Sequence, residues 1–143
     1  MKARELRALA EHIPPAVYFF VCLLGGWGLG RWRPLALRLD SLSLRLLPGG
    51  LLLAIAAGLG AWSIVLFHRE RTTYLPFGAP QALLTAGPFR WSRNPLYVAL
   101  GLALAGFAAL LDNGWILICV PLLLCALNLF IIPGEEVRLR EVF

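Results

Sequence analysis

The chain has 143 residues, 59% of them hydrophobic and only 15% charged, with a mean hydropathy of +0.76. A soluble domain is roughly half apolar and a quarter charged, so these figures exclude an ordinary soluble protein. The formal charge of +5 sits at the flanks of apolar runs, where membrane topology and lipid headgroups explain it and nucleic acid does not.

Four stretches carry no charged residue or histidine: 18 residues between His12 and Arg31, 22 between Arg45 and His68, 18 between Arg93 and Asp112, and 22 between Asp112 and Glu135. A membrane-spanning helix needs about 20 apolar residues. The expectation is an all-α integral membrane protein of four transmembrane helices, forming one domain over 1–143. The first run lacks a small-residue cleavage site and three more runs follow it, so it is not a signal peptide. Cys22, Cys119 and Cys125 lie inside apolar runs without CxxC spacing, which reads as packing rather than a metal site or a disulfide.

Met1 to His12 is of mixed charge and reads as a surface helix. Pro14-Pro15 starts the first spanning helix, about 13–30, because early helix positions need no backbone donor. From Arg31 to Gly50, Leu35, Leu37 and Leu39 alternate with Ala36 and Arg38. A lone strand is poorly tolerated in lipid, so this is expected to be an extended or short helical segment at the interface, ended by Pro48-Gly49-Gly50. The second helix covers about 49–67, and Ala54, Gly58 and Ala61 form a small-residue stripe on it. A long polar connection, 68–94, follows, and long connections are often functional.

The third helix covers about 95–111, with Gly101, Ala105 and Ala109 along one face. Asp112-Asn113-Gly114 makes a tight turn, with Gly114 suited to a left-handed conformation. The third and fourth helices therefore form a tight antiparallel hairpin. The fourth covers about 114–132, with Pro121 a kink point. A short C-terminal surface helix is expected over 134–143. The Gly/Ala faces also allow an oligomer. Lys and Arg number nine on the two tails and the second connection against four on the first connection. That bias places both termini in the cytoplasm.

Two polar knots then share the cytoplasmic face. The first is LLTAGPFRWSRNPLY, ending at Tyr97. Pro95 fits a first helical turn, with Asn94 or Ser92 as its cap. A helix N-terminus with Arg90 and Arg93 beside it suits a carboxylate or phosphate. Anchoring of both arginines among headgroups is the plainer alternative. The second knot is Glu135-Glu136. Either these residues cap a helix, with Glu136 and Arg140 as an i,i+4 pair, or they bind ribose hydroxyls, a sulfonium or a nucleophile's proton. His68 reads as an interfacial residue. Of the five tryptophans, Trp91 alone lies where a site would form.

Thr72-Thr73, Pro76, the Gly-Pro-Phe-Arg of Gly87 to Arg90, the Arg-Asn-Pro-x-Tyr of Arg93 to Tyr97, a helical hairpin and Glu135-Glu136 with Leu139 together resemble the isoprenylcysteine carboxyl methyltransferase family. The likeness is greater to its bacterial membrane members, which are related to phospholipid methyltransferases. It covers about Thr72 to Phe143. Ala99 stands where the family usually has glycine. The chain stops at Phe143, before the family's following glycine, tyrosines and basic segment, so the expectation is a pocket lacking part of its closure.

The resemblance implies methyl transfer from S-adenosylmethionine to a lipid-borne or hydrophobic acceptor at the cytoplasmic face of a bacterial inner membrane. It assigns Gly87, Pro88, Phe89, Arg93, Asn94, Pro95 and Tyr97 to the cofactor. Glu135, Glu136 and Arg90 fall to the reacting groups, with no metal. Two alternatives remain at this point: a truncated or accessory membrane protein of the same fold without catalysis, and a membrane reductase using a nicotinamide cofactor.

Overall fold

The computed structural model describes residues 3–69, 90–92, 94–131 and 140. Five α-helices follow in order: α1 (Ala3–Glu11), α2 (Pro15–Trp32), α3 (Leu42–Arg69), α4 (Pro95–Leu110) and α5 (Gly114–Ala126), which continues into a π-helical turn, Leu127–Ile131. Among the described residues there is no strand.

α4 is the centre of the bundle. It packs against α3 on one side and α5 on another, and α2 lies across α5 and touches α4. Its buried face presents Tyr97, Leu104 and Ala108 to Phe19 of α2 and to Ile116, Leu123 and Leu127 of the α5 segment. Glycine sets how near the helices come. A Cβ on Gly101 would meet the Leu124 side chain at 3.2 Å, and one on Gly26 would lie 3.0 Å from the Ile116 backbone.

These meetings also fix direction. Gly49 faces Leu110 while Gly60 faces Ala99, and Gly26 faces Ile116 while Gly30 faces Asn113. The helices therefore alternate up and down. Tyr18 links the first pair of elements, its hydroxyl donating to the Ala10 carbonyl at 2.9 Å. α1 in turn packs on the π-helical turn.

Two expectations need correction. Pro48-Gly49-Gly50 does not end an interfacial segment, because α3 starts at Leu42 and runs through Pro48. Ser41 caps it, its hydroxyl accepting from the Leu44 N–H at 3.2 Å, which satisfies one of the donors a helix start leaves free. Only residues 33–41 are non-helical in that connection. Second, the left-handed residue of the α4–α5 turn is Asp112, with φ 49°, while Gly114 opens α5. Gly114 serves by lacking a side chain, since a Cβ there would lie 2.9 Å from the Leu35 carbonyl oxygen.

Among the described residues one helix, over Leu42–Leu66, is long and apolar enough to cross a membrane by itself. Pro95–Leu110 and Gly114–Phe130 are shorter apolar helices. Many large apolar side chains are exposed, among them Phe20, Val21 and Leu24 on α2, Leu51 and Trp62 on α3, and Leu122 on α5.

Candidate functional site

Alternating helix directions bring five chain segments to one end of the bundle. They are α1, the start of α2, the end of α3 at His68 and Arg69, the start of α4, and the π-helical turn that finishes the α5 segment. The sequence-predicted residues that the structure describes lie here.

Asn94 occupies the cap position of α4, with Pro95 in the first turn. The Asn94 carbonyl accepts from the N–H of Tyr97 at 3.1 Å and of Val98 at 3.4 Å. The Ser92 hydroxyl accepts from the Asn94 N–H at 3.3 Å, so Ser92 holds the approach while Asn94 begins the helix. Pro95 needs no donor at this position and is buried. Arg90 and Trp91 are exposed, Trp91 at 91%. Tyr97, one turn into α4, is buried in the core beside Phe19 and Leu127. Ser63 of α3 is fully buried and its hydroxyl donates to the Leu59 carbonyl at 2.8 Å. Since Gly60 faces Ala99 in antiparallel register, Ser63 lies near the level of Pro95.

This end can offer an anion a helix N-terminus and an exposed guanidinium, the pairing that suits a carboxylate or phosphate. Gly87, Pro88, Phe89, Arg93, Glu135 and Glu136 lie outside the described residues. The C-terminal surface helix expected over 134–143 does so too, Arg140 apart. Ile131, the last described residue before Glu135, is at this same end.

A second polar cluster, at the opposite end, was not anticipated. The Asp112 carboxylate accepts from the N–H groups of Leu37 at 3.0 Å and Leu39 at 3.2 Å. It also pairs with Arg45 at 3.3 Å. Arg45 donates through Nε to the Leu39 carbonyl at 2.7 Å. Arg38, between Leu37 and Leu39, has a left-handed φ of 62°, a backbone turn of the kind that converges N–H groups on an anion, and one carboxylate oxygen receives both. Asn113 joins the same end. Its side-chain oxygen accepts from the N–H of Trp115 at 2.9 Å and of Ile116 at 3.3 Å, and its amide donates to the Gly26 carbonyl at 3.2 Å. A signal was available: Asp112 is the lone acid between two long apolar runs, and Arg45 borders another run at the same end.

With the geometry in place, one comparison is positive. A family model described as phospholipid methyltransferase matches residues 44–143. It takes in nearly all of α3, although the motif likeness starts only at Thr72. No curated protein and no solved structure matches the chain.

Proposed function

The chain belongs to the phospholipid methyltransferase family, a family of membrane-associated methyltransferases, and we propose that it moves a methyl group from S-adenosylmethionine to a lipid-borne acceptor at the cytoplasmic face. The observation that carries this reading is the family match over 44–143, which contains both polar knots. It favours a membrane methyltransferase over a nicotinamide reductase. Among acceptors, the family's name favours a phospholipid amine.

The donor set at the start of α4 fits the cofactor's anionic end. The N-terminus of α4 is complementary to an amino-acid carboxylate. S-adenosylmethionine, when bound, supplies an electrophilic methyl group on a sulfonium. The chain's own contribution is position and electrostatics. Arg93, Asn94 and Tyr97 would hold the cofactor, with Pro95 and the backbone of Gly87, Pro88 and Phe89 lining its pocket. Glu135 and Glu136 would face the cofactor or take the proton that a neutral amine releases on methylation. Arg90 would hold an acceptor phosphate or carboxylate.

A four-span arrangement agrees with the exposed apolar faces of α2, α3 and α5, because contiguous exposed apolar surface of this extent suits lipid rather than water. The nine-to-four distribution of basic residues supports cytoplasmic termini, and hence a cytoplasmic site.

The test is a calorimetric titration of the detergent-solubilised protein with S-adenosylhomocysteine, followed by incubation with methyl-labelled S-adenosylmethionine and bilayer lipid. Saturable binding that Glu136→Ala abolishes, with label in the lipid extract, is expected. A folded protein that neither binds the nucleoside nor labels lipid would overturn the proposal.

A further inference from the structure

We infer that Asn128 positions a phospholipid from the leaflet on the candidate-site side. Its side-chain amide donates to an ester or phosphate oxygen, and one acyl chain lies along the outer face of α5. Asn128 belongs to the π-helical turn Leu127–Ile131, and such turns recur at functional sites. It is exposed, whereas its neighbour Leu127 is buried in the core. From Ile116 to Ile132 it is the one residue whose side chain carries nitrogen or oxygen. A polar group set among lipid is costly until something answers it, and none of the described residues hydrogen-bonds this amide.

Helix register puts Asn128 at the depth of the candidate site. A Cβ on Gly101 of α4 would meet the Leu124 side chain of α5. The two helices are antiparallel, so four residues back along α4 and four forward along α5 bring Tyr97 and Asn128 to one level. Tyr97 and Leu127 share the core cluster, in agreement with that register. Asn128 is therefore less than one helical turn in depth from Pro95, where α4 begins.

The surface leading up to Asn128 suits an acyl chain. Leu117, Pro121, Leu124 and Cys125 precede it by eleven, seven, four and three residues, the spacing of one helical face. Leu117 and Leu124 are 42% and 39% exposed, and Pro121 and Cys125 are exposed as well. Leu124 also borders α4 at Gly101, so the strip runs beside the α4–α5 seam. From Leu117 to Asn128 is about 16 Å at 1.5 Å per residue. That is close to half of an about 30 Å hydrocarbon core, so one leaflet's acyl chain covers the strip and sets its ester level with the amide. That this lipid is the methyl acceptor rests on the function proposed above; the contact itself does not.

The full chain in dodecyl maltoside is mixed with palmitoyl-oleoyl phosphatidylethanolamine and weighed by native mass spectrometry. The native protein is expected to retain the phospholipid, and Asn128→Leu to weaken retention about threefold to tenfold, the worth of one net hydrogen bond. The leucine variant should keep the native unfolding midpoint and S-adenosylhomocysteine affinity. Asn128→Gln, which keeps the amide, should recover part of the retention. In the methyl-transfer assay Asn128→Leu should raise KM for lipid more than it lowers kcat. Undiminished retention in Asn128→Leu, no lipid retained by the native protein, or loss of nucleoside binding along with lipid would each overturn the inference. Retention that depends on Asn128 in a protein that transfers no methyl group would uphold the contact and overturn only the activity proposed above.

Discussion

Gly49 and Gly106 meet backbone to backbone across the α3–α4 seam. A Cβ on Gly49 would lie 3.0 Å from the Gly106 carbonyl oxygen, and one on Gly106 would lie 3.1 Å from that of Gly49. The reciprocity means that neither position can gain a methyl group without pushing main chain away from main chain. Such contacts are the means by which helices associate in lipid, where apolar burial alone offers little. Gly106→Ala is therefore expected to destabilise the bundle by about 1–3 kcal/mol, the usual cost of overpacking. Gly58→Ala, with nothing within 4 Å of its Cβ, is the control and should be neutral or slightly stabilising. Unfolding midpoints of the three proteins in one detergent decide the matter.

Asp112 should be the most sensitive polar position among those described. Its carboxylate serves two backbone N–H groups and Arg45 at once. Asp112→Ala leaves those donors without their partner and keeps a left-handed backbone that alanine dislikes. The expected loss is about 2–3 kcal/mol, on the scale of hydrogen bonds to a charged group. Asp112→Asn keeps one acceptor oxygen and tolerates the left-handed conformation, so its loss should be clearly smaller. Equal losses in the two variants would mean that the carboxylate charge, and neither the backbone conformation nor a retained acceptor oxygen, carries the effect.

How far these features could be read beforehand varies by residue. The start of α4 was legible, because Asn94-Pro95 sets a helix-start residue and a first-turn proline side by side, although the Asn94 side chain makes no cap hydrogen bond. The turn at Asp112-Asn113 was legible as a turn, but not as the point that gathers the 34–40 segment. That role depends on Leu37 meeting Asp112 across 75 positions, and local pattern carries no information about such a meeting. α3 was misplaced at its start because Pro48 lacks an amide hydrogen and looked like a terminator. The Ser41 cap, the Arg45–Asp112 pair and the Gly49–Gly106 contact hold helix on both sides of it, so tertiary contact outweighed local propensity. At the candidate site, residue types announced Arg90 and Tyr97 alike. Burial separates them, with Arg90 exposed and Tyr97 inside the core.

Asn113 offers a finer test, since its two ends do different work. The oxygen caps α5 and the amide ties α5 to α2 through Gly26. Asn113→Asp retains the cap but sets an acceptor against the Gly26 carbonyl, whereas Asn113→Ala removes both interactions. Alanine should cost about 0.5–2 kcal/mol from the cap alone, with the lost tie to Gly26 adding to it. The aspartate variant should also be less stable than the native protein despite its intact cap. Native-like stability in Asn113→Asp would show that the amide tie to α2 contributes nothing measurable.

Arg90 provides the contrast between binding and folding. Its side chain is exposed at the start of α4, so removing it should leave the unfolding midpoint within the small range typical of surface changes, about 0.5 kcal/mol. If the guanidinium meets a carboxylate or phosphate as proposed, Arg90→Ala should weaken ligand binding by about tenfold, matching a charge-assisted hydrogen bond of roughly 1.5 kcal/mol. Arg90→Lys should recover only part of that loss, because an ammonium lacks the planar fork. Titrating S-adenosylhomocysteine and varying acceptor lipid separately locates the contact. Weaker nucleoside binding assigns Arg90 to the cofactor, and unchanged nucleoside binding with a raised KM for lipid assigns it to the acceptor. An Arg90→Ala protein unchanged in both would show that this arginine serves only as an anchor among the headgroups.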